Sequence, residues 1–312
     1  MAERLGKALR ILRLALTIAG LVGIGAAVAA GSVGGPLKPY KDDLFTIEAT
    51  GRLFGGDYRI INYSKERDLY GRDEVVEKKA FSKFVSLDPS EVQKDLVLNT
   101  GGRSVRYVGV GKTSGVARFV VIFLHGDNGS RFQGVDDWSF GGNFNRLKNL
   151  VARNDGAYLS ADFPDFGPSG TGDVRALMQD YAARSPGAPI IVVCTSRSGK
   201  LCFQLLADKT ASELLGGVIL LGSLSQDTFF GTPAFRDPER YVPIFIGHGS
   251  KDKLLDWVSQ DLFFRKIKAT APSYPIRFDV FVHGSHGTPM RLTDWREVLN
   301  WMLTLDGVRS PR

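Results

Sequence analysis

The sequence predicts an α/β fold with a mostly parallel sheet flanked by helices. Continuous apolar runs such as Phe119–Leu124 (FVVIFL) and Pro189–Val193 (PIIVV) suit strands buried on both faces. Helix-length connections separate those runs, the alternation expected of parallel strands joined by crossovers. No repeat, low-complexity tract or second linker interrupts residues 40–312, which read as one domain.

Composition excludes several classes. The chain has 312 residues, of which 43% are hydrophobic, too apolar for a disordered polypeptide. Its 36 Gly and 14 Pro follow no triplet period, so it is not collagen-like. Two cysteines make neither a disulfide scaffold nor a four-thiolate zinc site. The net charge of +7 includes a local +3 within residues 1–30, where Arg4, Lys7, Arg10 and Arg13 face Glu3 alone. The remaining +4 carries no long basic run, so no nucleic-acid partner is expected.

The amino terminus reads as a targeting segment. A basic lead, residues 1–13, precedes an uncharged stretch from Leu14 to Leu37. Those 24 residues are enough to cross the ~30 Å hydrocarbon layer of a membrane as a helix. Ala27-Val28-Ala29 offers small residues for a signal peptidase. Residues 1–36 are therefore a cleaved signal peptide or a membrane anchor, and attachment through residues 14–37 follows in the second case. Both place residues 40–312 outside the cytoplasm, secreted, periplasmic or membrane-anchored. No cysteine near the cleavage point suits a lipoprotein.

Elements follow in order. Phe45–Tyr63 and Ser104–Val110 are early strands, with turn signals at Gly55-Gly56 and Gly101-Gly102. After the strand Phe119–Leu124 come a helix at Phe144–Arg153, a strand at Ala157–Asp162 and a helix at Asp173–Arg184. Then come the strand Pro189–Val193, a helix from about Ser198 to Leu206, and strands Gly217–Leu221 and Val242–Ile246. A helix Leu254–Lys268, the strand Ile276–Val282 and an amphipathic helix Thr293–Leu305 close the chain. Asp294 and Glu297 near the start of this last helix suit its dipole.

The most informative segment is Val193-Cys194-Thr195-Ser196-Arg197-Ser198-Gly199-Lys200. An apolar strand runs into a serine with a small residue two positions away on each side, and a helix follows. This is the small-x-Ser-x-small pattern of a nucleophile elbow, with Cys194 and Ser198 in place of the usual glycines. A serine held in a strained strand-to-helix turn tolerates only small neighbours. The bland reading makes Ser196 a helix N-cap.

Four further segments give the chain a resemblance to the α/β-hydrolase superfamily, covering roughly residues 100–305. His125-Gly126-Asp127-Asn128-Gly129 follows a long buried strand, as the family's oxyanion motif does. Asp162-Phe163-Pro164-Asp165-Phe166-Gly167-Pro168-Ser169 resembles the D-x-P-G-x-G-x-S stretch, with Asp165 where glycine is usual. Gly247-His248-Gly249-Ser250-Lys251-Asp252 resembles the acid loop, and His283-Gly284-Ser285-His286-Gly287 the histidine loop. The order Ser, Asp, His is the one this fold uses. The resemblance implies an α/β-hydrolase fold with little or no cap.

Roles follow from chemistry. Ser196 Oγ attacks a carbonyl carbon and needs a base within reach. His286 serves as that base, and Asp252 holds its tautomer. The backbone N–H groups of Asp127 and Arg197 form the oxyanion hole, with Asn128 as a substitute if the loop is shifted. The Asp127 side chain is expected to point away from the oxyanion. Among the four histidines, His125 belongs to the oxyanion loop and His248 to the acid loop. His283 rivals His286 but stands at the strand end rather than on the loop beyond. Asp256 rivals Asp252 but is expected inside the following helix. The Arg197 side chain either attracts an anionic substrate group or pairs with a surface acid.

Other signals are rejected. Gly109-Val110-Gly111-Lys112-Thr113 mimics a phosphate loop, but Arg106 stands where its first glycine belongs, so it reads as a hairpin turn. His283-x-x-His286 lacks the helix and glutamate of a zinc protease. No metal or cofactor is expected. Cys194 and Cys202 straddle the elbow and are expected as buried thiols, too far apart to bond. Trp138, Phe140 and Phe144 either line an acyl pocket or pack under a loop. In the superfamily the chain resembles, insertions between the strands at Leu221 and Val242 form the lid, so the short connection here implies an open site with little cap.

The expected activity is that of a serine hydrolase of the carboxylesterase or thioesterase kind, acting on a small-molecule or acylated substrate through an acyl-enzyme. The alternatives are a peptidase of the same fold and a non-catalytic membrane-anchored binding protein on a degenerate hydrolase scaffold, the latter motivated by the substituted elbow glycines.

Overall fold

The computed structural model describes residues 37–305. The signal or anchor expected over residues 1–36 lies outside the described residues, among which no helix is long and apolar enough to cross a membrane.

A ten-stranded sheet organises these residues, with order β1-β2-β12-β11-β10-β9-β7-β8-β6-β5. The strands are β1 (Gly51–Leu53), β2 (Tyr58–Asn62), β5 (Gln93–Thr100), β6 (Arg103–Gly111), β7 (Val120–Leu124) and β8 (Ala157–Ala161). They continue with β9 (Ile190–Thr195), β10 (Leu215–Leu221), β11 (Ile244–Gly249) and β12 (Ile276–Val282); β3 (Asp73–Val75) and β4 (Lys79–Ala80) form a separate small ladder. From β2 to β8 every neighbour pair is parallel. Antiparallel pairs finish both edges: β1 on β2, and the hairpin β5–β6 on β8.

The central runs are buried on both faces because alternate residues feed two different cores. Val120, Ile122 and Leu124 pack on one side with Val192, Cys194, Val218 and Leu220. Val121 and Phe123 pack on the other with Ile191, Val193, Ile219 and Leu221. Helices Pro168–Arg184, Gly199–Ala207 and Trp257–Thr270 cover the first face. Helices Asn143–Arg153 and Trp295–Thr304 cover the second, with Phe144, Leu147, Trp295 and Leu299 facing the sheet. Each fully buried aliphatic side chain of this kind contributes about 1.5–3 kcal/mol.

Several expected boundaries move, each for a local reason. Residues 45–63 are not one strand: a short helix ends at Phe45, and β1 and β2 follow as a hairpin. β2 lies next to the far edge, between β1 and β12, where Arg59 donates to buried Asp279 at 2.7 Å. The expected helix at Asp173 begins at Pro168, because Asp165 accepts from the N–H groups of Gly167 (2.8 Å) and Gly170 (3.0 Å) and caps it. The helix expected from Leu254 starts at Trp257, after a turn formed by Leu254 and Leu255 on the Asp252 side chain. Asp256 caps that helix, accepting from Val258 N–H at 3.1 Å, and does not lie within it. The last helix starts at Trp295 with Asp294 as its cap. The turn at Gly111 leads out of β6, but β6 pairs with β5 and β8 rather than with β7, so it is not a hairpin turn.

The cysteines correct an expectation. Cys194 and Cys202 form a disulfide with Cα atoms 6.3 Å apart. The elbow folds the helix Gly199–Ala207 back against the end of β9, and Cys194 points to that same face. A separation of eight residues along the chain is thus short in space.

Closing so short a loop removes little chain entropy. Replacing both cysteines by alanine is expected to cost about 2–3 kcal/mol in urea unfolding. An unchanged midpoint would show that the bond carries no stability.

Candidate active site

The candidate residues come together at the carboxyl ends of β7, β9, β11 and β12. Ser196 directly follows β9 with φ of +53°, a left-handed conformation strained for a residue with a side chain. It is partly open to solvent. The elbow is tied to the neighbouring strand through hydroxyls. Thr195 Oγ1 and Ser198 Oγ both reach the Leu124 carbonyl, at 3.1 and 2.9 Å. Ser198 Oγ also accepts from the Thr195 N–H at 2.8 Å. Ser198 therefore holds the turn rather than merely fitting it.

Asp252 and His286 are joined. His286 Nδ1 lies 2.7 Å from Asp252 Oδ2, and the Asp252 side chain is buried. The carboxylate accepts at that contact, so Nδ1 carries the proton and Nε2 is left as the free basic nitrogen. Asp252 Oδ1 accepts the N–H groups of Leu254 (2.8 Å) and Leu255 (3.1 Å). Burial alone would raise the Asp252 pKa. Hydrogen bonds from His248, His286 and the two backbone N–H groups outweigh it and hold the carboxyl well below its usual range.

One short segment links this pair to Ser196. Ser223 Oγ donates to the Ser196 carbonyl at 2.7 Å, and buried Gln260 donates to the Ser223 carbonyl at 2.9 Å. The preceding Gly222 has φ of +51°, and a Cβ there would stand 2.8 Å from the His286 carbonyl and 3.4 Å from its Nδ1. The β10 exit loop thus borders the serine on one side and the imidazole on the other.

The loop after β7 completes the surroundings. A Cβ at Gly126 would stand 2.9 Å from Ser196 Cβ, so this backbone approaches as only glycine permits. Asp127 is exposed, and its Oδ1 pairs with Arg197 Nη1 at 3.0 Å. Arg197 also lies over the Phe166 ring at 5.1 Å. The side chains of the two expected oxyanion residues are thereby latched to one another. Asn128 is exposed, with φ of +56°.

The competing residues stand elsewhere. His283 is exposed in a left-handed turn, its N–H donating to Ser250 Oγ. His125 Nδ1 donates to the Gly126 carbonyl at 2.8 Å, and its ring stacks on Phe163 at 4.4 Å. The aromatic trio divides: Phe144 packs on Phe123 in the core, Phe140 supports the histidine loop, 3.3 Å from where a Gly287 Cβ would be, and the Trp138 ring lies under Lys79 Nζ at 5.5 Å. Behind that loop Arg291 makes a buried two-point contact with Asp73, 2.8 Å at each bond, a support that no motif signals. The connection Gly222–Pro243 packs largely into the core. Its Phe229 and Phe235 pack into the core against Phe263 and Tyr274. Among the described residues no cluster of three or more His, Cys, Asp or Glu can hold a metal ion.

The depressed Asp252 pKa has a sign in stability. The group stabilises the folded state fully above its unfolded pKa of about 3.9, and this is lost as pH falls through the lower folded value. The advantage of wild type over Asp252→Asn should therefore shrink steadily as pH falls below about 4. Urea midpoints taken across that range check it, and parallel curves would contradict the ionised, hydrogen-bonded carboxylate.

No protein-family model matches the chain, and no curated protein does. Solved structures do. A Thermus thermophilus protein is 18% identical, with a TM-score of 0.50 over 69% of this chain and 99% of its own. A protein of unknown function from Agrobacterium tumefaciens, provisionally placed among the alpha/beta hydrolases, is 13% identical, with a TM-score of 0.51 over 66% of this chain and 93% of its own. A thermostable esterase is 13% identical, with a TM-score of 0.53 over 68% of this chain and 62% of its own. Likeness at such identity speaks for architecture, and with the strand order and the placement of the elbow it identifies the chain as one with the α/β-hydrolase fold.

Proposed function

We propose that the protein is a serine hydrolase that cleaves a carboxylic ester or thioester through an acyl-enzyme on Ser196. The observation that carries this reading is the Asp252–His286 contact of 2.7 Å beside a loop that also grips a strained, partly exposed serine. In the proposed cycle Ser196 Oγ attacks the carbonyl carbon while His286 Nε2 takes its proton. Asp252 keeps Nδ1 protonated and stabilises the imidazolium. The backbone N–H groups of Arg197 and Asp127 receive the oxyanion, each such donor being worth about 2.7–4 kcal/mol in the transition state. His286 returns the proton to the departing alcohol or thiol. Water, activated by the same imidazole, then releases the acid.

The Asp127–Arg197 ion pair supports this assignment, because it turns the Asp127 carboxylate toward a cation. The core-packed connection Gly222–Pro243 supports an open site that admits bulky acyl groups. A peptidase on the same triad remains the second reading, and a non-catalytic scaffold the third. The hydroxyl ties of Ser198 speak against degeneration of the elbow.

The disulfide supports an extracytoplasmic location, since such bonds persist in oxidising compartments. The basic lead and apolar run of residues 1–37 point the same way.

Purified protein should react with a fluorophosphonate probe and hydrolyse p-nitrophenyl esters faster than aminoacyl anilides. Ser196→Ala should abolish labelling and lower ester turnover by about 10⁴-fold or more. Labelling that survives in Ser196→Ala would remove the nucleophile assignment, and preference for anilides would favour the peptidase. Intact-mass analysis after expression of the full chain should find it outside the cytoplasm, either shortened by residues 1–29 or full-length in the membrane fraction. A full-length cytosolic product would overturn the location.

A further inference from the structure

We propose that His248 is a positioning residue of the same centre: a buried imidazole whose Nε2–H, shared between the Leu255 carbonyl and Asp252, helps to fix the carboxylate oxygen that orients His286. The inference rests on the serine-hydrolase reading. His248 lies on β11, paired in register with Val280 of β12, and its side chain is wholly buried. Its Nε2 stands 3.2 Å from Asp252 Oδ2 and 3.1 Å from the Leu255 carbonyl. A carbonyl oxygen only accepts, and so does an ionised carboxylate, so the nitrogen between them carries the hydrogen. His248 Nδ1 is also buried, and it has no hydrogen-bond partner. A hydrogen placed on that atom would be a buried N–H with no acceptor, which is costly. The geometry therefore places the hydrogen on Nε2.

This arrangement gives Asp252 a complete set of donors. Oδ1 accepts two backbone N–H groups, and Oδ2 is shared between the imidazoles of His286 (2.7 Å) and His248 (3.2 Å). His286 stands on a loop, whereas His248 stands on a central strand of the sheet. The strand-borne imidazole thus supplies the rigid reference and the loop-borne one the moving part. A carboxylate lacking the first would keep only the second to define the position of Oδ2. His286 Nε2 would then sample positions away from Ser196 Oγ. Misplacement of a reacting group by about 1 Å is enough to cost about 10²-fold in rate. The His248 side chain is closed off from solvent, so its removal should act on turnover rather than on substrate affinity.

Two variants of the full chain separate positioning from packing. His248→Leu fills the space without a donor. His248→Gln places an amide N–H near the former Nε2. His248→Leu should lower kcat on a p-nitrophenyl ester by about 10–100-fold with KM within about twofold, and slow fluorophosphonate labelling in parallel. His248→Gln should recover most of kcat whatever its melting temperature. A kcat for His248→Leu within twofold of wild type would overturn the proposal. So would a His248→Gln variant that is folded but no faster than His248→Leu. Should the wild type neither label nor turn over esters, the hydrolase reading is what fails. Imidazole ¹⁵N spectra then decide on His248 itself. An Nε2-protonated His248, together with loss of the His286 Nδ1–H signal in His248→Leu, would sustain the positioning contact. An Nδ1-protonated His248, or a His286 signal that persists in His248→Leu, would refute it.

Discussion

The candidate site depends on one constraint, the burial of the central strands on both faces. A strand such as Val120–Leu124 shows neither face to water, so its neighbours can run parallel and its connections must cross over as helices. All carboxyl ends then open on the same edge. That edge receives the loops after β7, β9, β10, β11 and β12, which come from segments up to about 160 residues apart. Ser196 and the Asp252–His286 pair share this edge because the apolar pattern leaves the chain no other edge on which to place them.

Polar groups at this edge are held by other polar groups rather than by apolar packing. Leu124 ends its strand with a carbonyl that two hydroxyls of the elbow approach. Ser223 grips the serine carbonyl and is itself gripped by Gln260. The acid loop and the histidine loop are laced together by backbone bonds, Ser250 N–H to the Phe281 carbonyl and Lys251 N–H to the Gly284 carbonyl. Buried donors and acceptors left unpaired are costly, so each such bond narrows the positions open to the loops. Rigidity at the site follows from satisfaction of these groups. The Arg291–Asp73 contact extends the same logic to the ground behind the histidine loop.

Much of the sheet was legible because β-branched runs such as Ile190-Ile191-Val192-Val193 admit few other readings. The pairing of Asp252 with His286 was legible through the resemblance of their two segments to the acid and histidine loops of the α/β-hydrolases. The Cys194–Cys202 bond was not, because separation along the chain says nothing of how sharply the elbow reverses. The alternation along β9 carried a usable sign: Cys194 shares its face with Ile190 and Val192, the face that the next helix covers. The place of β2 was illegible for another reason. Its partner Asp279 is 220 residues away, and no local pattern encodes which edge a short strand joins. The contribution of His248 was hidden because its spacing of four residues from Asp252 reads as loop chemistry. The contact depends instead on Leu254 and Leu255 folding over the carboxylate.

The substituted glycines of the elbow bear on whether the scaffold has lost its chemistry. In a decaying site, replacements would be expected to be idle or disruptive. Here each has a task. Cys194 points into the core and ties strand to helix. Ser198 turns its hydroxyl back to the Leu124 carbonyl and to the Thr195 N–H, a closure no glycine could supply. The backbone crowding that makes glycine usual is met by small side chains that bend inward, away from the serine. A strained φ of +53° at Ser196 persists only where its surroundings enforce it, and these two side chains are part of that enforcement.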